Sequence, residues 1–333
     1  MRVLVTGGAG YIGTHVVRAL VERGDEVLIY DLRSPAPGGP LDGLPALEGD
    51  IRDGGLMQAA LRDHGTEAVV HLAGLKSVSE SLRDPSAYFD TNVRGSLTLC
   101  RAMIATGVRS LVFSSSCAVY GTPARLPVDE QLPIGPENPY GESKALVERM
   151  LRWFDRTGHL RYASLRYFNA AGAAFDGRSG EDWSTAVNLI PVVMKAALGV
   201  GGPVRVYGTD YETPDGSAIR DYIHVVDLAG AHLDALRLLT VEDRSEVINV
   251  GTGRGSSVLE VIAEVTRVSG RPVPMRTTDR RRGDPVAVWA DSERARTILG
   301  WQARFGLQEI IETAWTWHLT GTGVAGSTSS GSR

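Results

Sequence analysis

Tyr140 and Lys144 are two polar side chains whose types and spacing suit acid–base chemistry. In a helix, residues four apart lie on one face, about 6 Å from each other. A phenol has an ordinary pKa of about 10, too high for a base at neutral pH, but a nearby ammonium favours its phenolate. We therefore expect Tyr140 to accept a proton, with Lys144 keeping its pKa low. The same spacing also occurs on ordinary surface helices, so the rest of the chain must decide.

A glycine-rich turn near residue 10 predicts a dinucleotide site. The strand Val3–Thr6 runs into the letters GGAGYIG, and a helix from His15 to Glu22 follows. Gly7 permits the tight turn, Gly10 lets backbone N–H groups approach a pyrophosphate at the positive helix end, and Gly13 allows close helix–strand packing. The spacing is GxxGxxG rather than GxGxxG.

An acid follows the second strand. Glu26–Tyr30 ends in Asp31, eighteen residues after Gly13. A carboxylate here can bind both ribose hydroxyls of an adenosine and repels a 2′-phosphate. Asp31 therefore favours NAD over NADP, and the neighbouring Arg33 softens that preference.

Three consecutive serines follow a later strand. Ser110–Phe113 leads into Ser114, Ser115 and Ser116. Ligands of open α/β sheets bind beyond the carboxyl ends of the strands. We expect these serines to point toward the glycine turn and the Tyr140 helix.

Strands and helices alternate in the first half of the chain. Ala68–Gly74 is continuously apolar, as in a parallel sheet covered on both faces, and a helix is predicted over Ser86–Thr106. The last strand of this half is Tyr162–Tyr167. The alternation predicts an α/β fold, a Rossmann-type doubly wound parallel sheet with right-handed crossovers.

The composition changes after about Gly172, where loops rich in Gly, Asp and Thr separate short elements. We predict an NAD-binding domain over residues 1–171, a smaller C-terminal substrate-binding α/β cap over 172–319, and a disordered tail over 320–333. The strand Val247–Val250 is expected to return to the main sheet.

Composition excludes several classes of function. The 333 residues carry a net charge of −4, which gives no field to gather nucleic acid or an anionic membrane. Cys100 and Cys117 are too few for a disulfide framework or a CxxC metal site, so a reducing compartment and no metal are expected. The sequence has no signal-peptide pattern and no apolar run of membrane length, and a cytoplasmic location is expected.

Several phrases together carry a resemblance to a known family. GGAGYIG, Asp31, Ser116 with Tyr140 and Lys144, LRYFN and DGSAIRDYIHVVDLA resemble the extended short-chain dehydrogenase/reductase superfamily. The phrases AGLKSVSESLRDPSAYF, YETPDGSAIRDYIHV and RRRGDP resemble, within it, the UDP-glucose 4-epimerase (UDP-galactose 4-epimerase) family. The likeness runs from Arg2 to about His318.

The resemblance implies NAD-dependent interconversion of UDP-glucose and UDP-galactose, an isomerase activity of galactose metabolism. Tyr140 would take the proton of the sugar 4-hydroxyl while C4 is oxidised by NAD, and the 4-keto sugar would rotate and be reduced on its other face. Ser116 would bind the same oxygen, and Lys144 the nicotinamide ribose. It also implies a homodimer that pairs helices near Ser86–Thr106 and Tyr140–Trp153.

The resemblance also assigns binding residues, position by position. Those for the cofactor are Gly7, Gly10, Tyr11, Ile12, Gly13, Asp31, Asp50, Ile51, Leu72, Ala73, Gly74, Lys76, Thr91, Ser114, Tyr140, Lys144 and Phe168. Those for the UDP-sugar are Ser116, Tyr140, Asn169, Asn188, Leu189, Arg205, Val206, Tyr207, Arg220, Arg281, Asp284 and Val288. Arginines suit this task because a planar fork binds phosphate bidentately. Arg280 and Arg282 are expected in a solvated loop.

Three alternatives stay open. A small residue at Val288 leaves room for UDP-N-acetylhexosamines. A related sugar-nucleotide dehydratase or decarboxylase would need an acid near Ser116, where the chain has Cys117 and Ala118. An NAD-sensing module without catalysis could discard Tyr140 or Lys144, and both are present.

Overall fold

The computed structural model describes residues 1–182, 186–281 and 284–319. The first half contains β1 (Arg2–Thr6), α1 (Tyr11–Glu22), β2 (Glu26–Asp31), β3 (Ala46–Glu48), α2 (Gly54–Asp63), β4 (Ala68–His71), α3 (Val78–Arg83), α4 (Pro85–Tyr88), α5 (Gly95–Thr106), β5 (Ser110–Ser114), α6 (Pro139–Arg156), β6 (Arg161–Tyr167) and β7 (Asn169–Ala171). The second half contains α7 (Leu189–Leu198), β8 (Val204–Tyr207), β9 (Ile219–Arg220), β10 (Tyr222–His224), α8 (Val225–Val241), β11 (Glu246–Val250), β12 (Ser256–Ser257), α9 (Val258–Ser269), β13 (Met275–Thr278), β14 (Ala287–Val288) and α10 (Leu307–Leu319). The predicted tail, 320–333, lies outside the described residues. Among the helices described here, none has the length and apolar character to cross a bilayer.

Seven parallel strands form the central sheet in the order β11-β6-β5-β4-β1-β2-β3. All four residues of β4 are buried, as its continuous apolar run predicts. Helices cover both faces, so the predicted Rossmann-type doubly wound sheet is confirmed. The strand predicted at Val247–Val250 does join this sheet, as β11 beside β6.

Alternate side chains of β1 supply the cores on opposite faces of the sheet. Val3 and Val5 pack with Leu236 of α8 in one core, and Leu4 packs with Val147 of α6 in the other. This follows from the period of two in a strand. Helices α1 and α8 therefore lie on one face, and α2, α5 and α6 on the other.

The start of α6 is fixed by its own capping residues. The Asn138 side chain accepts a hydrogen bond from the Gly141 N–H at 2.9 Å, and Pro139 occupies the first turn, where its missing donor costs nothing. Tyr140 thereby falls in the first turn, and Lys144 follows one turn later on the same face.

The helix predicted over Ser86–Thr106 is present, but its hydrogen bonding changes along its length. The segment contains the end of α4, a π-helical turn over Phe89–Arg94, and α5. The π turn carries Asn92, whose amide binds the backbone of Leu75 after β4. Helical periodicity does not predict this tertiary contact or the π turn that carries it, and such turns are frequent at functional sites.

Short strands of the second half place the remaining predicted residues. β9 lies between β12 and β14, which puts Val288 opposite Arg220 in parallel register. β8 pairs with β13 and carries Tyr207 at its end. β7 pairs with β10 and starts at Asn169.

Candidate active site

The glycine turn has no room for side chains. A Cβ on Gly7, whose φ is +70°, would lie 2.6 Å from the Ala73 backbone nitrogen, and one on Gly13 would lie 2.1 Å from the Gly7 carbonyl oxygen. Helix α1 begins at Tyr11, earlier than predicted, and Gly10 before it has no side chain to cap it. The amino end of α1 is thus bare backbone beside the carboxyl edge of the sheet, as a pyrophosphate requires.

Asp31 is tied to this turn. Its Oδ2 accepts a hydrogen bond from the Ala9 N–H at 3.0 Å, which holds the carboxylate beside the glycines at the end of β2. Leu32 and Arg33 next to it are exposed. The backbone cradle and the placed carboxylate together fit a dinucleotide with free ribose hydroxyls.

The three predicted catalytic side chains come together. Tyr140 and Lys144 are 8% and 5% exposed, and the Lys144 Nζ lies 5.9 Å from the centre of the Tyr140 ring. The same Nζ donates a hydrogen bond to the Ser114 carbonyl oxygen at 2.9 Å. The Ser116 hydroxyl is hydrogen-bonded to the Tyr140 phenol. The site therefore pairs a phenol with an ammonium and a hydroxyl, away from water.

The expectation that Lys144 keeps the pKa of Tyr140 low in the assembled site stays a prediction. Burial raises the pKa of Tyr140 to about 12, against the opposing hydrogen bond from Ser116. Burial also lowers the pKa of Lys144 to about 8, although the Glu148 carboxylate opposes this. Both shifts have the same cause, because desolvation penalises a charged form. More positive charge beside Tyr140 favours its phenolate.

The three serines diverge. The Ser115 hydroxyl donates to Glu148 of α6 at 2.5 Å, and Ser116 reaches Tyr140, so these two face the Tyr140 helix as predicted. The Ser114 hydroxyl instead lies 2.8 Å from the His232 Nε2 of α8. For Ser114 the predicted direction is wrong, and its contact with a cofactor stays a prediction.

The segment after β4 passes beside Lys144. Leu72 and Ala73 are half-buried, and a Cβ on Gly74 would lie 3.8 Å from the Lys144 Nζ. Thr91, in the π-helical turn, is half-buried. The structure thus brings these four predicted cofactor residues to the carboxyl edge of the sheet.

Other predicted cofactor residues are held by the second half of the chain. The Tyr11 hydroxyl donates to the Gly172 carbonyl oxygen at 2.6 Å, and Ile12 packs against the core. The Lys76 Nζ lies 3.3 Å from an Oε1 of Glu181. Phe168 is buried in an apolar cluster that also contains Val288.

Asp50 and Ile51, which are predicted to contact the cofactor, already have partners within the protein. The Asp50 carboxylate accepts hydrogen bonds from Arg52 at 2.9 and 3.1 Å, which lowers the pKa of Asp50. Ile51 is buried beneath α5, where a Cβ on Gly95 would lie 2.5 Å from it. Their contact with an adenine stays a prediction.

Sequence reasoning missed two groups behind the site. The Asn92 Nδ2 donates to the Ser143 Oγ at 2.9 Å and to the Leu75 carbonyl at 3.0 Å, so it ties the segment after β4 to the catalytic helix. Glu148 is 1% exposed and forms a buried ion pair with Arg166. The available signals were an Asn inside a predicted helix and a Glu one turn after Lys144 on a buried face.

Arg220 and Asp284 form an ion pair with each other. Arg220 is close enough to Cys117 for its charge to lower the pKa of the thiol, while burial raises that pKa to about 12. Cys117 is thus a packed thiol, as predicted, and Val288, opposite Arg220, is 6% exposed.

Arg205, Tyr207 and Arg281 form a second positive group. The Arg281 guanidinium lies 4.2 Å from the centre of the Tyr207 ring, and hydrogen bonds from Arg281 and Arg205 lower the pKa of Tyr207. Val206 between them is buried. Two cations around one half-buried phenol suit an anionic ligand such as a phosphate.

The remaining predicted residues lie at the ends of elements. Asn169 is exposed at the start of β7, and Asn188 precedes Leu189 at the start of α7, with its Nδ2 3.2 Å from Glu181. Arg280 is exposed and paired with Asp210, as expected for a solvated loop, whereas Arg282 lies outside the described residues.

The chain is similar to known proteins over most of its length. The model of the NAD dependent epimerase/dehydratase family matches residues 3–251. The chain is 45% identical to the UDP-glucose 4-epimerase of Halalkalibacterium halodurans, over 96% of each protein. A crystal structure of the UDP-glucose 4-epimerase from Stenotrophomonas maltophila with bound NAD and formylated UDP-arabinopyranose aligns with a TM-score of 0.93 and 42% identity, covering 96% of this chain and 98% of that one. The Bifidobacterium longum enzyme in complex with NAD+ and UDP aligns with a TM-score of 0.90 and 39% identity, covering 97% and 99%.

Proposed function

Because the chain belongs to the NAD dependent epimerase/dehydratase family, we propose that it interconverts UDP-glucose and UDP-galactose with NAD as its resident cofactor. The observation that carries the proposal is the group of Tyr140, Lys144 and Ser116 beside the glycine turn. The relatives named above are UDP-glucose 4-epimerases, which favours this reaction over that of a dehydratase, a decarboxylase or a sensing module.

The proton-transfer step uses Tyr140 as the base. NAD, when bound, supplies the two-electron acceptor for the sugar carbon and a positive charge near the phenol. Tyr140, with its proton lost, takes the proton of the sugar 4-hydroxyl, and Ser116 binds the same oxygen from its own side. Lys144 adds the nearer positive charge and binds ribose hydroxyls. When the 4-keto sugar returns to an alcohol, Tyr140 gives the proton back.

The rest of the proposed site must hold the nucleotide tightly and the sugar loosely, because the sugar has to rotate between the two half-reactions. In this proposal the phosphates are bound by Arg220, Arg281 and Arg205. On binding, Arg220 exchanges its contact with Asp284 for the phosphates, and Arg281 and Arg205 do the same with their contacts to Tyr207. The proposed backbone contacts to the nucleotide come from residues 188–189 and 206. Val288 lies against the sugar, and Asn169 reaches its hydroxyls.

The two parts of the chain have different proposed roles. Residues 1–171 with β11 and α8, which pack in the central sheet and against it, bind NAD, and the other described residues of 172–319 form the cap that binds the UDP-sugar. Cys100 and Cys117 are free thiols, which supports a reducing compartment such as the cytoplasm. A place in galactose metabolism follows from the proposed UDP-galactose substrate.

The proposed assembly is a homodimer built on α5, α6 and the turn before them. Phe89, Leu97 and Trp153 on these elements are 37%, 38% and 64% exposed, which is a large apolar surface for helices to leave in water. A second copy of the chain would cover it.

The test is the stoichiometry of the reaction. The purified chain, saturated with NAD, is incubated with UDP-galactose, and the products are separated by chromatography. We expect UDP-glucose as the product, with no loss of water and no net change in NADH. Free NADH, a dehydrated sugar or unchanged UDP-galactose would each contradict the proposal.

A further inference from the structure

A buried histidine lies behind the site on the opposite face of the sheet. His232 of α8 is 0% exposed, and its Nδ1 lies 2.8 Å from the Leu228 carbonyl oxygen. Its Nε2 lies 2.8 Å from the Ser114 Oγ. Ser114 is the residue whose carbonyl oxygen accepts the hydrogen bond from Lys144 at 2.9 Å. One residue of β5 therefore joins the catalytic lysine to His232.

The direction of these hydrogen bonds is fixed by chemistry. A carbonyl oxygen only accepts, so the His232 Nδ1 carries the proton that binds Leu228. Burial lowers the pKa of His232 to about 4, so the ring is neutral at pH 7 and its Nε2 has a lone pair. The Ser114 hydroxyl must then donate to the Nε2.

The direction of the Ser114 hydrogen bond also determines which way the Tyr167 hydroxyl donates. The Tyr167 hydroxyl is hydrogen-bonded to the Ser114 side chain, and the Tyr167 ring centre lies 6.4 Å from that of His232. Since the Ser114 proton is committed to His232, Tyr167 donates its only proton to Ser114. Tyr167 is near enough to Tyr140 for the charge of Tyr140 to affect its pKa. Tyr140 is thus left as the phenol of this pair whose proton can move.

We propose that His232 is a positioning residue for proton transfer: its unprotonated Nε2 orients the Ser114 hydroxyl, which keeps the proton of Tyr167 away from Tyr140, on the same residue whose backbone carbonyl binds Lys144. This inference rests on the proposed epimerase function and adds to it a residue on the far side of the sheet. Without the Nε2 acceptor, the Ser114 hydroxyl can turn over and donate to Tyr167, which frees the Tyr167 proton for Tyr140.

Two amide variants separate the two ring nitrogens. In His232→Asn the short amide can still donate to Leu228 but does not reach Ser114, whereas in His232→Gln the longer amide can present an oxygen to Ser114. For the NAD-loaded protein, we expect the kcat on UDP-galactose to fall roughly tenfold in His232→Asn and to stay within about threefold in His232→Gln, since small misplacements at a reacting site are costly. The KM and the NAD content should not change.

His318 provides the control for replacing a buried histidine. It is 2% exposed in α10, which packs with α7 and α9, and His318→Asn should keep the native kcat. A native kcat in His232→Asn, or equal losses in the Asn and Gln variants of His232, would overturn the inference.

A measurement on the native protein covers the case in which a variant does not fold. Nitrogen-15 NMR of labelled histidines in the NAD-loaded chain should show His232 with a protonated Nδ1 and an unprotonated Nε2 at pH 7. A proton on the Nε2 would reverse the direction of the Ser114 bond and overturn the inference. Failure of the native chain to interconvert the two sugars would contradict the proposed function instead, and the NMR result would still judge the bond direction.

Discussion

The chemistry of single residues here is governed by burial. The phenol of Tyr140 and the ammonium of Lys144 are both shielded from water, and their pKa values move to about 12 and about 8. Burial favours the neutral form of each group. In the proposed site, the positive charge of bound NAD joins that of Lys144 in favouring the phenolate of Tyr140.

The role of the ammonium can be read from a pH profile. In Lys144→Met, the loss of positive charge disfavours the phenolate, so the pKa of Tyr140 in the assembled site rises. We expect the rate, which needs the phenolate, to appear at higher pH, with the acid limb of kcat displaced by at least about one unit. The measurement is kcat from pH 5.5 to 10, and an acid limb that does not move would contradict the role given to Lys144.

Among the secondary-structure elements, the glycine turn between β1 and α1 leaves the space that the cofactor needs. Gly13→Ala would put a Cβ 2.1 Å from the Gly7 carbonyl oxygen, a distance that backbone cannot accommodate without separating α1 from β1. We expect this variant to lose bound NAD, measured as NAD released from the denatured protein. Gly202→Ala, whose added Cβ has nothing within 4 Å, is the matched control and should retain NAD. Full NAD content in Gly13→Ala would contradict the assignment of the turn.

The catalytic helix and α5 also form the proposed dimer surface. Trp153→Glu places a charge where the partner copy would bury it, so we expect sedimentation to report single chains. Val241→Glu, at a 73% exposed position on α8, is the control and should remain a dimer. A native chain that sediments as a monomer, or a Trp153→Glu variant that stays dimeric, would contradict this surface.

Hydrophobic periodicity in the sequence predicted those elements whose position depends on local burial alone. The strands β1, β2, β4, β5, β6 and β11 and the bounds of Leu189–Leu198 followed from hydrophobic periodicity, because each buries one face or both. The π-helical turn inside the helix over Ser86–Thr106 was not predicted, because the contact of Asn92 with Leu75 joins segments that no period records. The direction of the Ser114 side chain was predicted wrongly for the same reason, since its partner His232 is 118 residues away.

At the scale of the whole molecule, buried neutral histidines make stability depend on pH. Burial lowers the pKa values to about 4 for four of them and to about 3 for a fifth, namely His15, His224, His232, His318 and His71. Between about pH 4 and 6.5 the unfolded chain therefore binds more protons than the folded one, and stability falls as the pH falls. Glu130, Glu181 and Asp221, whose pKa values are raised by burial, oppose this loss toward the acid end.

The expected result is a Tm that declines steadily from pH 6.5 to pH 4.5 in calorimetry. Each neutral buried histidine contributes up to about 1.4 kcal/mol per pH unit to this decline. Proton uptake on unfolding near pH 5, measured in two buffers of different ionisation enthalpy, checks the cause. A Tm that is constant from pH 7 to pH 5 would contradict the assignment of these rings as neutral and buried.

The most direct test of the proposed mechanism is the removal of the hydroxyl oxygen of Tyr140. Tyr140→Phe keeps the ring packed against Tyr88 and removes the proton acceptor. Tyr88→Phe, whose hydroxyl donates to the Ser77 carbonyl, is the matched control. On UDP-galactose with NAD bound, we predict that kcat falls by about 10²- to 10⁴-fold in Tyr140→Phe and stays near native in Tyr88→Phe. A Tyr140→Phe enzyme that interconverts the two sugars at the native rate would contradict it.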